Sequence, residues 1–331
     1  MPSKPTPGGS TGTWGTELND FLDVSLTSAG ALKAWQYPTA GSQIQAMLDA
    51  QDAGTAGPII LGPQTYTVST ALQLYDGSCI IGMGPQLSII SYTGAGGNAI
   101  EPDDQTVRGF SWNLQGFLLS DGGTGAVGIN MIKQSTCHVA NVKVDGFTTA
   151  VSMTGSNGQV VYNRFINVQL ANATTGVIIG ASGSNSNSFF GCRTNVCTLA
   201  VDITDSNQNV FNGCQFESGT NGVKITSTSN ALSDYNSITN CRFESNSGTN
   251  INITSSNVRY TTILGNAPVS VGSADITDNG TRTLYLGSEV GLKINSPTRP
   301  TVSGAKGSNA ALGSLMTALT TIGLVTDSTS A

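Results

Sequence analysis

The stretch Asn187-Ser-Phe189-Phe-Gly191-Cys192-Arg-Thr194 does not stand alone in the chain. Its frame returns downstream in Asn209-Val-Phe211-Asn-Gly213-Cys214-Gln-Phe216 and Asn236-Ser-Ile238-Thr-Asn240-Cys241-Arg-Phe243, and upstream in Asn163-Arg-Phe165-Ile-Asn167-Val168-Gln-Leu170. Two weaker copies precede these, Leu114-Gln-Gly116-Phe117-Leu-Leu119 and Cys137-His-Val139-Ala-Asn141-Val142-Lys-Val144. Down the column Phe117, Val142, Val168, Cys192, Cys214, Cys241 the steps are 25, 26, 24, 22 and 27 residues. A second apolar pair follows each copy, from Val127-Gly-Ile129 through Val151-Ser-Met153, Val177-Ile-Ile179, Val201-Asp-Ile203 and Val223-Lys-Ile225 to Ile251-Asn-Ile253, with steps of 24, 26, 24, 22 and 28. The two columns drift together, as parts of one repeating unit must.

Within each copy apolar residues alternate with polar ones, the period-2 mark of a strand with one buried face, and Gly, Asn, Ser and Thr separate the runs. About three short strands per repeat return the chain to its starting point, which describes one coil of a parallel β-helix stacked on the next at roughly 4.8 Å. This registration points Phe189, Phe211 and Ile238 inward. Asn163, Asn187, Asn209 and Asn236 then form a column at a bend, where side-chain amides bond along the stack and satisfy backbone groups that the turn leaves unpaired. Such a structural ladder explains them better than a binding role. Cys192, Cys214 and Cys241 fall on the inward side of their strands as small hydrophobes. None of the six cysteines lies in a CxxC or zinc spacing, and free buried thiols account for them better than disulfides.

Composition sets the outer limits. With 41 glycines, 38% hydrophobic and only 10% charged residues, the chain is neither helical nor of disordered type. A net charge of −6 without a basic block excludes nucleic acid as a partner. No run of apolar residues is long enough for membrane insertion, and the N-terminus lacks the apolar core of a signal peptide, so a soluble product is expected. His138 is the sole histidine, which excludes a His-rich metal site within one chain. The glycine clusters at 94–97 and 121–128 lack phosphate-loop spacing, so no cofactor is expected.

The segment Ser42-Gln-Ile44-Gln-Ala-Met47-Leu48-Asp-Ala50, then Ile59-Ile60-Leu61-Gly62-Pro63-Gln64-Thr65-Tyr66-Thr-Val68, Leu72-Gln-Leu74 and Ile80-Ile81-Gly82-Met83-Gly84, resembles the opening of pectate-lyase-like right-handed β-helix proteins. Gln64 stands where that family usually has glycine. The resemblance implies an all-β fold: a capping helix within 41–56, then a right-handed parallel β-helix over 57–290 of roughly ten coils. Residues 1–40, with Gly12-Thr-Trp14-Gly15-Thr-Glu-Leu18-Asn-Asp-Phe21-Leu22, resemble N-terminal arms of bacteriophage tail and tail-fibre proteins, and 291–331 is similar to C-terminal segments of phage structural proteins. In that tail Leu312, Leu315/Met316, Leu319 and Ile322 recur at helical spacing. They give a short helix with one apolar stripe, which packs on its own β-helix or against other subunits. These resemblances imply a virion protein of the tail-fibre or tailspike type, made in the host cytoplasm. Its expected partners are tail or baseplate proteins reached through the N-terminal arm, two further copies in a homotrimer, and a host cell-surface polysaccharide.

The chemistry-bearing residues are few. Glu217 and Glu244 follow Phe216 and Phe243 in adjacent coils, with backbones about 5 Å apart, near the separation that retaining glycosidases use. The same column holds Ser120, Asp145, Ala171 and Asn195, so solvated turn caps are the competing explanation. No aromatic platform stands beside the pair, because Trp14, Trp35 and Trp112 all precede it. Lys143, Gln169, Arg193, Gln215 and Arg242 form one outward column, with His138 and Arg164 in a neighbouring one; they line a glycan-binding groove or a plain solvated face. Three functions follow: a glycan-attaching phage structural protein, which the residues favour; a tailspike depolymerase acting as hydrolase or lyase; and a secreted polysaccharide lyase.

Overall fold

A computed structural model describes residues 35–154, 160–180, 183–228, 233–269, 276–287, 291–295, 301–305, 307, 309–321 and 324–330. Most of the expected N-terminal arm, residues 1–34, lies outside the described residues. A 3-10 turn at Gly41–Gln43 runs into helix α1, Ile44–Asp52, which buries Ile44 and Leu48 over the open end of the first coil.

Three parallel sheets then form the walls of a right-handed β-helix. Among the described residues the first sheet has ten parallel strands, from Ile59–Leu61 to Thr283–Gly287, and the second and third have nine each. An eleventh strand, Gly291–Asn295, pairs antiparallel to Thr283–Gly287 and ends the stack. Most strands of the first two sheets are only three residues long. Their brevity follows from the corners, which in the central coils turn on one residue in the left-handed backbone region. Asn141, Asn167, Gly191, Gly213 and Asn240 turn the chain from the first sheet to the second, with φ between 51° and 63°. Asn172, Val196, Ser218 and Ser245 do the same between the second and third. Ser111, Thr136, Tyr162, Ser186, Gln208, Tyr235, Tyr260 and Arg282 turn it onto the first. Glycine and asparagine adopt this conformation most readily; valine and tyrosine do so at a cost of about 1–2 kcal/mol.

The residue after each corner turns inward. At the corner leading onto the first sheet this is the asparagine ladder: Asn163 Nδ2 donates to Asn187 Oδ1 at 3.0 Å, Asn187 to Asn209 at 3.1 Å and Asn209 to Asn236 at 3.1 Å. Each Oδ1 also accepts the backbone N–H of the preceding coil's ladder residue, and all four asparagines are fully buried. At the corner between the first and second sheets the inward residues are Cys192, Cys214 and Cys241. They sit in the bends rather than on the strands, and each thiol donates to the carbonyl of a core residue one coil below, Phe165, Phe189 and Phe211 respectively. All six cysteines are free. Phe165, Phe189 and Phe211 stack face to face at 4.6 and 4.5 Å, with Ile238 continuing the column.

One register differs from the spacing argument. In the third sheet Val151 pairs with Ile129, not Val127, so the aligned column runs Ile100, Ile129, Val151, Val177, Val201, Val223, Ile251. A slip of two residues keeps the same face inward, so the apolar pattern cannot expose it; the glycine-rich turn at 121–126 absorbs the difference.

Beyond the β-helix, strands Thr301–Ala305 and Thr326–Ser330 pair in parallel across helix α2, Ala310–Thr321. The helix lies where its apolar spacing places it, but its stripe is only partly covered: Met316 is buried, Leu312 and Leu315 are exposed, and Ile322 lies outside the described residues.

Candidate functional site

Strand pairing sets Lys143, Gln169, Arg193, Gln215 and Arg242 in one outward column of the second sheet. Asp145, Ala171, Asn195, Glu217 and Glu244 form the column two residues on. Because side chains on one strand face are two residues apart, an arginine and a carboxylate on the same or adjacent strands meet. Arg193 donates from both Nε and Nη2 to Glu217 Oε2, at 3.0 and 2.5 Å. Arg242 lies 3.6 Å from Glu217 Oε1 and 2.6 Å from Glu244 Oε2. Two coils before Arg193, Lys143 pairs with Asp145 at 2.6 Å.

The result is an alternating ribbon, Arg193, Glu217, Arg242, Glu244. Glu217 and Glu244 are direct register partners, as their spacing requires. Glu217 is no solvated turn cap: only 8% of its side chain is exposed, and arginines flank it on both sides. Glu244 is a third exposed and holds one arginine.

His138 and Arg164 pair in register on the first sheet, across the corner formed by Asn141 and Asn167. They therefore face a different direction from Lys143, Arg193 and Arg242, and the two cationic columns do not share one groove. His138 Nδ1 lies 3.4 Å from Asn113 Oδ1. Arg164 is exposed and meets no carboxylate among the described residues.

The corner leading onto the first sheet carries aromatic groups that the spacing argument passed over. Tyr162 and Tyr235 are 61% and 55% exposed. Tyr235 and Tyr260, in adjacent coils, stack at 4.8 Å with ring planes 4° apart. Arg282 lies over Tyr260 at 5.1 Å and also donates to its hydroxyl; Arg259 sits 5.9 Å away, held by Asp234. The signal was present: tyrosine directly precedes the ladder asparagine in two copies, Tyr162-Asn163 and Tyr235-Asn236.

Among the described residues no group of three or more His, Cys, Asp or Glu side chains is placed to hold a metal ion. No helix among them is long and apolar enough to cross a membrane.

No curated protein matches the chain. Among solved structures, ORF18 of Geobacillus virus E2 shares the fold with TM-score 0.57 and 14% identity, over 86% of this chain and 67% of that one. The pre-mature gene product 12 of bacteriophage phi29 aligns with TM-score 0.55 and 15% identity, over 88% of this chain. This chain spans about half of that protein, 49% of its length. A family model described as the right handed beta helix region matches residues 120–303, more than half of the sequence. Periodicity, strand register and this match agree, and the chain belongs to the right-handed β-helix family.

Proposed function

We propose that the protein is a structural component of a bacteriophage tail or a related particle that attaches to a host cell-surface glycan without cleaving it. The observation that carries this reading is the occupied state of Glu217 and Glu244, the carboxylates that the repeat sets in register on adjacent strands. A glycosidase pair needs one carboxyl free to protonate the leaving oxygen and one free to attack or activate water. Here Glu217 is closed in by Arg193 and Arg242, and Glu244 is engaged by Arg242. The shared fold with two phage proteins supports the particle context.

In this reading residues 1–40 join the protein to other tail or baseplate proteins, and the working form is a homotrimer in the virion. The exposed Leu312, Leu315 and Leu324 beside a two-stranded parallel sheet support self-association, since a unit of that size covers little of its own apolar surface. Light scattering tests it: a mass of three chains is expected, and a stable monomer at micromolar concentration contradicts the trimer.

Adjacency of Glu217 and Glu244 favours a second reading, a tailspike depolymerase. Incubation with host capsule or lipopolysaccharide separates the two. Retained polysaccharide without new reducing ends is the expected result. Rapid release of reducing ends, lost in Glu217→Gln or Glu244→Gln, establishes the depolymerase instead.

A further inference from the structure

The geometry points to the tyrosine edge as the glycan site, with an acidic oligosaccharide lying along the β-helix axis from Tyr162 to Arg282. This rests on the glycan-attachment reading and assigns it a place and a ligand class.

This corner carries side chains that its turn does not require. At this corner Ser111, Thr136, Ser186 and Gln208 show that small or flexible polar residues complete the turn. Tyrosine in the left-handed region adds backbone strain, and at 61% and 55% exposure Tyr162 and Tyr235 gain little from burial in return. Strained, exposed aromatic rings in a repeated position are what a recognition surface requires and a turn does not.

The rings are also held in fixed orientations. Tyr235 is held parallel to Tyr260, and Tyr260 is held by Arg282 and Arg259, the latter fixed by Asp234. One face of the Tyr235 ring is covered by Tyr260, so the other looks back along the axis toward Gln208. Tyr162 stands three coils earlier, about 14 Å away along the axis at the coil repeat. Between them Ser186 donates to Gln208 Oε1 at 3.0 Å, which leaves the Gln208 amide N–H groups turned to solvent. The notch thus offers an apolar ring face at one end, an exposed ring at the other and hydrogen-bonding groups on its floor, the mixture that a sugar's C–H faces and hydroxyls complement.

Charge distinguishes the edge from the second sheet. On the second sheet each arginine is matched by a carboxylate. Along the edge Arg164 and Arg282, about 24 Å apart along the axis by coil count, meet none among the described residues. On a chain of net charge −6 these unmatched cations select a ligand that brings its own carboxylates.

A glycan array of capsule and lipopolysaccharide repeats, with carboxylated and neutral members, tests this on the full chain. Carboxylated members are expected to bind, with affinity falling at least about tenfold in Tyr235→Asn/Tyr260→Asn and about threefold in Arg282→Gln. Lys224→Gln, on the third sheet, should leave binding unchanged. Asparagine suits the left-handed corner, so the double variant keeps the fold, and an unchanged circular dichroism melt verifies it. Binding that survives Tyr235→Asn/Tyr260→Asn, or that is confined to neutral glycans, overturns this site while glycan attachment stands. No binding to any member overturns both.

Discussion

Asn163 and Tyr162 are neighbours in sequence, as are Asn236 and Tyr235, yet the two columns they belong to obey different rules. The asparagine column faces inward, and each member is satisfied by the next: Asn209 gives to Asn236 and Ser206 and receives from both the side chain and the backbone of Asn187. Within the run of four asparagines an odd residue orphans groups on both adjacent coils; outside it the column continues with Cys137 before Asn163 and with Thr261, whose buried hydroxyl finds no partner, after Asn236. The column one residue earlier faces outward and runs Ser111, Thr136, Tyr162, Ser186, Gln208, Tyr235, Tyr260, Arg282. Nothing in the fold requires identity there, so its chemistry is free to vary with function. In a stacked protein, repetition marks what holds the coils together and departure from repetition marks what they present.

The sharpest way to break that contrast is Asn209→Ala. Losing four hydrogen bonds and leaving the Asn187 N–H buried without a partner should cost about 3 kcal/mol, measured by urea unfolding. A cost below that of an exposed polar residue would mean that the ladder is incidental.

A second test uses pH at the same column. The N–H of Cys137 donates to Asn163, and burial pushes its thiol up to about 12 from 9.0. The folded state keeps this proton where the unfolded thiol loses it, so the contribution is complete below pH 9 and declines as pH rises toward 12. Between pH 9 and 10.5 the loss should be about 2 kcal/mol, and a Cys137→Ala variant should flatten that slope.

Two smaller effects sharpen the comparison by repairing departures. Thr194 interrupts an inward column between Leu170 and Phe216, and its hydroxyl finds no partner beside a small apolar void lined by Phe189 and Phe211. Thr194→Val should stabilise the protein by about 1 kcal/mol in thermal unfolding. Val196, outward at a corner with φ 58°, is a β-branched residue in the left-handed region. Val196→Asn should gain about 0.5–1 kcal/mol without altering any core contact.

The same asymmetry explains what the sequence made legible. The inward columns are constrained by their neighbours, so Phe165, Phe189 and Phe211, the asparagine ladder and the register of Glu217 with Glu244 could be read from spacing. The third-sheet slip at Val127 could not, because a two-residue shift preserves the buried face. The pairing of Arg193 and Arg242 with Glu217 also escaped, since it depends on which neighbour a long side chain reaches. The strands flanking α2 escaped as well, because Thr301–Ala305 and Thr326–Ser330 carry little apolar alternation. Tyr162, Tyr235 and Tyr260 were overlooked because an outward, left-handed position has no apolar signature of its own.

The most direct test of the division between holding and presenting measures both properties in the same two variants. Asn209→Ala and Tyr235→Asn/Tyr260→Asn are compared for urea midpoint and for affinity to a carboxylated glycan bound by the unmodified protein. The account predicts that the asparagine variant loses about 3 kcal/mol while its folded fraction binds normally. The tyrosine variant should stay within about 1 kcal/mol of the parent stability and lose at least about tenfold in affinity. A tyrosine variant that unfolds early while still binding the glycan would contradict it, by showing that the outward column holds the coils together and presents nothing.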